Sequence, residues 1–307
     1  MKKLKSRLVF ICIILGILIY SPLSLRAEKL PFNTVFKGTD KFYQLVGRAQ
    51  KENWRSLPIG ERTDAVGLAL CGTPYKGFTL EIDNHIEAAS VNLNGLDCWT
   101  FFEISLGFAR MLKMKPDHYK PEDLLKMIEL ERYRGGRCDG GYLSRIHFLE
   151  ELFHDNENRG LCKNITRELG GVPIQRQIRE MTVAWRSYRY LKYNPSLRPQ
   201  MTQIENRVSR LPVYYIPKSK VARIEPKLKD GDIIAIVCRD SGAYTSHVGL
   251  AYRDANGVLR FMHASSRHRK VLVDKELSAY LKGSSEKIGI IVARPNDLPA
   301  SMAQTSN

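Results

Sequence analysis

The sequence predicts an α+β domain. Three observations carry that expectation. Apolar residues recur at helical spacing from Asp40 to Leu70 and again through most of Lys113 to Lys227. From Asp232 onward they fall into short β-branched runs separated by turns. The helices also precede the strands rather than alternating with them, which places an antiparallel sheet against earlier helices. No internal repeat is present.

The chain opens with a basic head, "MKKLKSR", the apolar run "LVFICIILGILIY" and a small residue at Ala27. That order predicts a secretory signal over residues 1–27, cut before Glu28. The alternative is an uncleaved anchor, although Leu8 to Tyr20 falls short of the roughly 20 residues a spanning helix needs. No other stretch is long and apolar enough to cross a bilayer, so no stable membrane insertion is expected after cleavage. The expected location is the periplasm or the medium.

Formal charge is +16, of which Lys2, Lys3, Lys5, Arg7 and Arg26 belong to the leader, leaving +11. An exported basic protein meets anionic envelope polymers, lipid head groups and acidic peptides rather than nucleic acid. "WRSYRYLKYN" (Trp185–Asn194) interleaves aromatics with bases, but as a solvated basic helix face rather than a nucleic-acid surface. Five cysteines follow the leader, and an odd number leaves at least one thiol unpaired in an oxidising compartment. Cys138 and Cys162 either form a bridge or stay free. No C-x-x-C spacing suggests a zinc ribbon or dithiol motif.

Taken in order, "KFYQLVGRAQKENW" and "PIGERTDAVGLAL" are helical, joined at Pro58 and Gly60. "CGTPYKGFTLE" (Cys71–Glu81) breaks the second helix, and an irregular stretch leads to "LNGLDCWTFFEISLGFARML" (Leu93–Leu112). A polar helical insertion, about 113–227, is expected to hold helices at "PEDLLKMIELER", "YLSRIHFLEELFHDN", "VPIQRQIREMTVAWRSYRYLKY" and "PQMTQIENRVSR". "RYRGGRCDGGY" is a loop by its glycine content. The strands are expected at Asp232–Cys238, Ser246–Tyr252, Val258–Ala264, Lys270–Val273 and Ile288–Arg294, with "KDGD" and "DANG" as turns. One domain thus spans 28–295, and residues 296–307 form a disordered tail.

Asp97 suits the N-cap and Cys98 the first helical position of the apolar segment. A thiol there meets the positive end of the helix macrodipole, which favours the thiolate, and free amides that can hold an oxyanion. The competing account is that Cys98 is a small buried hydrophobe. A nucleophilic thiol needs a base, and His247 and His263 lie on the strands flanking "DANG". If Ala255-Asn256-Gly257 is a three-residue loop with Gly257 left-handed, Gly249 faces His263 and His247 is a diagonal neighbour on the same face, roughly 7–8 Å away. A five-residue loop sets the two imidazoles opposite one another, and a two-residue Asn-Gly turn sends them to opposite faces. A cysteine mechanism therefore requires an odd-numbered loop. His147, Glu151 and His154 share a helical stripe, but no third histidine is near, and a solvated or partly buried face accounts for them without a metal. His85, His118 and His268 have no recruiting neighbours.

"GTPYKGFTLE", "LNGLDCWTFFE", "GYLSRIHFLEEL", "NITRELGG", "KDGDIIAI", "SHVGLAY" and "FMHAS" occur in the order of a branch of the NlpC/P60 superfamily. Over roughly Lys41 to Pro295 the chain resembles the N-acetylmuramoyl-L-alanine amidase-like family, formerly a domain of unknown function. The resemblance implies a papain-like NlpC/P60 fold with the nucleophile at a helix N-terminus packed on an antiparallel sheet. It further implies hydrolysis of the amide between N-acetylmuramic acid, favoured in its anhydro form, and L-alanine of muropeptides. By the same resemblance Cys98 is the nucleophile, His247 the base and His263 the residue orienting it, and Tyr75 borders the site. Trp99 is larger than the family's usual residue and would reshape one wall. Arg145 and His147, with Arg134 and Arg137, are candidates either for holding substrate carboxylates or for structural ion pairs. No cofactor or metal is implied. The alternatives are a stem-peptide endopeptidase with the same Cys-His-His site, and a non-catalytic wall-binding module.

Overall fold

The computed structural model describes residues 29–239 and 242–299. The expected leader (1–27) and the end of the expected tail (300–307) lie outside the described residues. Among the described residues no helix is long and apolar enough to cross a membrane.

Helix α1 (Thr39–Lys51) buries Phe42, Leu45, Val46 and Ala49, the single stripe of an amphipathic surface helix. Helix α2 (Ile59–Ala69) leads through the Cys71–Glu81 segment towards α3 (Cys98–Met114), in which every residue from Thr100 to Leu112 is buried. A helix buried all round is normally apolar, yet α3 carries Glu103 and Arg110. Both charges are matched from α4 (Pro121–Arg132): Arg132 Nη2 lies 2.8 Å from Glu103, and Glu131 lies 2.7 Å from Arg110. Arg132 also donates to the Ser90 carbonyl at 3.2 Å. Helix α5 (Leu149–Asn158) follows the glycine-rich loop.

Eight strands form one antiparallel sheet: β1 (Cys162–Asn164), β2 (Val172–Pro173), β3 (Tyr214–Pro217), β4 (Ile233–Cys238), β5 (Thr245–Arg253), β6 (Leu259–Ser265), β7 (Lys270–Glu276) and β8 (Lys287–Pro295). Their order is β2-β3-β8-β4-β5-β6-β7, with β1 also pairing β8. One face offers Ala235, Val237, Val248, Leu250, Met262 and Ala264 to the core that contains α3. The other offers Ile234, Ile236, Ala251, Phe261 and Ile290 to a second core with α6 (Lys218–Ile224) and α7 (Leu277–Lys282). Both faces of β4 are therefore covered, which is why "IIAIVC" is continuously apolar rather than alternating.

The β5–β6 hairpin has the three-residue loop. Arg253 pairs with Leu259 and Leu250 with Met262, the Asp254 amide donates to the Val258 carbonyl at 3.0 Å, and Gly257 is left-handed at φ +76°. That register brings Gly249 against His263: a Cβ on Gly249 would lie 2.8 Å from the His263 Cβ and 2.5 Å from the Met262 carbonyl oxygen.

Several local expectations are corrected. Residues 172–193 do not form one long helix; the chain runs extended from β2, and only Glu180–Val183 and Arg189–Tyr193 are α-helical. Tertiary contacts override the helical spacing: the Arg176 guanidinium donates to the Ala243 carbonyl at 2.8 Å, and Ile178 is buried beneath the extended segment. The helix expected from Tyr142 begins only at Leu149. Cys138 and Cys162 are free thiols, donating to the carbonyls of Glu87 and Phe153. The tail is tied down at its start: Asp297 pairs with the buried Arg62, and the Asn296 amide donates to Leu161.

Breaking one partner of a buried ion pair leaves an uncompensated charge, so Arg132→Met is expected to cost about 3–5 kcal/mol in denaturant unfolding. The double variant Glu103→Leu/Arg132→Met should recover most of that loss. Equal destabilisation by single and double variants would show that the pair is not what the site's helix leans on.

Candidate active site

The start of α3 is fixed by its own first turn. Asp97 is extended (φ −95°, ψ −179°), and its Oδ1 accepts from the Thr100 amide at 2.8 Å. The Thr100 hydroxyl accepts in return from the Asp97 amide at 3.0 Å, completing a capping box. Thr79 donates to the other Asp97 oxygen at 2.9 Å, pinning the Cys71–Glu81 segment to the cap. The same segment bridges α3 to the sheet: the Tyr75 amide donates to the Arg269 carbonyl and the Lys76 amide to the Leu96 carbonyl, each at 2.9 Å. Tyr75 is thereby held between β7 and the helix start.

Cys98 is partly exposed as a residue, but its sulfur is enclosed by protein. Burial, with Asp97 adding to it, pushes its thiol pKa up to about 12. Backbone hydrogen bonds from Val248, Trp99 and Cys98 itself pull the other way without offsetting this. The expected thiolate is thus corrected: a helix terminus contributes about 1 kcal/mol, and desolvation outweighs it. The resting group is a neutral thiol set against the backbone of Val248, the residue after His247. Burial raises the phenol pKa of Tyr75 and of Tyr280, and the nearby Cys98 sulfur adds to both, with Asp274 also contributing at Tyr280.

His247 and His263 share the sheet face turned away from α3. Two irregularities mark β5 beside these residues. The β5–β6 ladder ends at the Leu250–Met262 pair, just short of Val248, and β5 carries one extra residue where Ile236 faces His247 but Val237 faces Thr245. Such a bulge re-aims the side chain beside it.

The imidazoles are linked in a chain. His247 Nε2 lies 2.7 Å from His263 Nδ1, and His263 Nε2 lies 3.2 Å from Asp274 Oδ2. Burial and the neighbouring His263 and Lys287 push the His247 pKa down to about 3. Burial pushes His263 down to about 4, against the opposing pull of Asp274. Against burial, hydrogen bonds from the Lys275 amide and His263 hold the Asp274 carboxyl below its usual range, so it accepts. His263 then carries its proton on Nε2, its Nδ1 accepts from His247 Nε2–H, and the lone pair left open is His247 Nδ1. Phe261 stacks on His263 at 4.7 Å between centroids, and Tyr280 lies 5.2 Å from the same ring, which fixes the tilt.

Two cavities flank this centre. One, of about 200 Å³, is lined by Asp97 and Trp99 on either side of Cys98, with Phe78, Tyr142, Arg145 and His147. The other, of about 450 Å³, is lined by His247, His263, Asp274, Tyr280 and basic side chains. Arg145 and His147 line the first cavity, and each has a partner within the protein. Arg145 pairs with Glu81 at 3.3 Å and Glu87 at 3.4 Å, and His147 Nε2 lies 3.1 Å from the Tyr142 carbonyl. Arg134 is held by Glu151 at 2.6 Å, and His154 lies against Asn158, so the His147–Glu151–His154 stripe is divided among separate partners. Sequence reasoning missed Asp274 and Tyr280. Asp274 was within reach of the argument that found His263: Leu272 pairs with His263, and Asp274 is two residues further on the same strand.

The architecture matches several solved structures. A Bacteroides fragilis protein, provisionally described as a xylanase, shares 33% identity over 75% of this chain and 99% of its own, with a TM-score of 0.68. An N-acetylmuramoyl-L-alanine amidase from Bacteroides uniformis shares 29% identity over 78% of this chain and 99% of its own, with a TM-score of 0.70. A Legionella pneumophila protein of the DUF1460 family shows the fold at 19% identity, with a TM-score of 0.61 over 85% of this chain and 97% of that one. No curated protein matches. These likenesses correct the expected NlpC/P60 papain-like fold: the antiparallel sheet and its helices match amidase-like and DUF1460 structures, which are not of that type. A cysteine at a capped helix start is a local arrangement, and local arrangements recur on unrelated architectures. With its residues 65–290 matched by the family model, the chain belongs to the AmiA-like, N-acetylmuramoyl-L-alanine amidase-like family.

Proposed function

We propose that the chain is an exported, cysteine-dependent amidase cleaving the bond between N-acetylmuramic acid, in its anhydro form, and the L-alanine of muropeptides. The observation that carries this reading is the hydrogen-bonded His247–His263–Asp274 chain, with Cys98 at a capped helix start set against the backbone of Val248. His247 Nδ1 takes the thiol proton as the sulfur attacks the lactyl carbonyl. Concerted removal suits a thiol whose pKa of about 12 forbids a standing thiolate. The oxyanion is held by the Cys98 backbone amide with help from Tyr75. The His247 imidazolium then gives its proton to the departing alanine nitrogen, leaving a thioester. Water, deprotonated by the same imidazole, releases the sugar acid and restores the thiol. His263 and Asp274 fix the His247 tautomer.

The xylanase description of one relative implies a different chemistry, which needs two available carboxyl groups facing the scissile bond. Carboxylates around the Trp99 cavity are committed elsewhere: Glu81 to Arg145, Asp97 to the helix cap, and Glu180 to the Tyr188 hydroxyl at 3.0 Å. This favours the amidase reading.

Incubation with anhydro-muropeptides and mass analysis of products tests the proposal. Free sugar and intact peptide are expected from the wild type, with a loss of about 10³-fold or more for Cys98→Ser. Truncated peptide, or full activity in the variant, would overturn it. Asp274→Asn should lower kcat about 10- to 100-fold with KM little changed, because the tautomer is no longer enforced. The base is available while neutral, so kcat/KM should be flat from about pH 5 to 8 and fall only as pH drops through about 4 to 3, where His263 and then His247 take protons. An inflection near pH 6.5 would contradict the buried, neutral pair.

A further inference from the structure

The cavity behind the imidazoles is basic and unbalanced. Arg267, His268, Lys275 and Lys287 line it together with Asp274. Arg267 and Lys275 are exposed, and among the described residues neither forms an ion pair. Lys287 Nζ sits 3.3 Å above the Tyr280 ring and donates to the Tyr280 carbonyl, so its charge is directed but not neutralised. The acid present, Asp274, is already engaged by His263 and by the Lys275 amide at 2.7 Å. Around the Trp99 cavity the reverse holds: Arg145 and Arg134 are both neutralised, by Glu81 and Glu87 and by Glu151. An anionic group finds open cationic partners on the histidine side.

The chemistry supplies a direction. The imidazole that protonates the leaving amine must stand on the leaving-group side of the scissile bond. His247 lines the basic cavity, and Trp99 with Phe78 lines the other. We infer that substrate crosses the site in one sense, sugar towards Trp99 and Phe78 and peptide towards the basic cavity. There Arg267, Lys275 and Lys287 hold the free carboxylate of the acidic residue that follows alanine. This inference rests on the amidase reading. Two residues of extended chain reach roughly 7 Å, enough to carry that carboxylate past His247 into the cavity. The aromatic walls of the opposite cavity, including an exposed Phe78, suit the apolar face of a sugar ring.

The test compares the anhydro-N-acetylmuramoyl-L-alanyl-D-glutamate γ-methylamide, whose one free carboxylate is the α, with its isoglutamine counterpart, in which that carboxylate is also an amide. The wild type should favour the acid by about 10-fold in kcat/KM, expressed in KM, and the preference should shrink as salt rises. In Arg267→Gln/Lys275→Gln, and separately in Lys287→Gln, the acid-over-amide ratio should fall towards one. Equal use of both substrates by the wild type, or a variant that slows both alike, overturns the inference while leaving the amidase reading intact. If the wild type releases sugar from neither, the amidase reading fails instead. Calorimetric binding of the two compounds to Cys98→Ser then still decides the cavity's role: about 10-fold tighter binding of the acid, lost in Lys287→Gln, supports it, and equal binding overturns it.

Discussion

The fixed onset of α3 is the constraint on which the rest depends. Asp97, Thr100 and Thr79 decide where the helix begins, but a cap alone would not stop a helix from sliding or rotating. Glu103 and Arg110 do that, because each buried charge has one matched partner on α4 and any other register would leave it bare. The position of the Cys98 sulfur is thus set partly by ion pairs lying one to three turns further along the helix. Those pairs contribute placement more than stability.

At the site, burial wins over the helix dipole. The thiol and both imidazoles are held in their neutral forms, and the lone permanent charge of the hydrogen-bonded chain is Asp274 at its far end. This gives the chain a direction, with each imidazole donating towards the carboxylate and His247 Nδ1 left open. Under the amidase mechanism proposed above, proton movement would accompany bond formation, and charge would develop once substrate had displaced water from the cleft.

Much of this was legible in the sequence. Asp97 before Cys98 announced the cap, and Asp254 to Gly257 limited the hairpin to a few lengths with different consequences for the two histidines. What stayed hidden was non-local. Residues 172–193 have helical spacing, yet Arg176 finds its partners near Ala243, far along the chain. The arginines near the glycine-rich loop looked free until Glu81, Glu87 and Glu151 came into range. The overall architecture was misassigned because the motifs around Cys98 and His247 describe a site, and a site constrains only the few elements that carry it. Cys98's ionisation was misjudged because the dipole is local to the sequence, whereas the enclosing protein is not.

The turn between Asp254 and Val258 is exposed and polar, the kind of place where chains usually tolerate gains and losses. Here the parity of its length decides on which side of the sheet an imidazole emerges. Substitutions at Ala255 and Asn256 should therefore drift freely among relatives, while single-residue indels are purged.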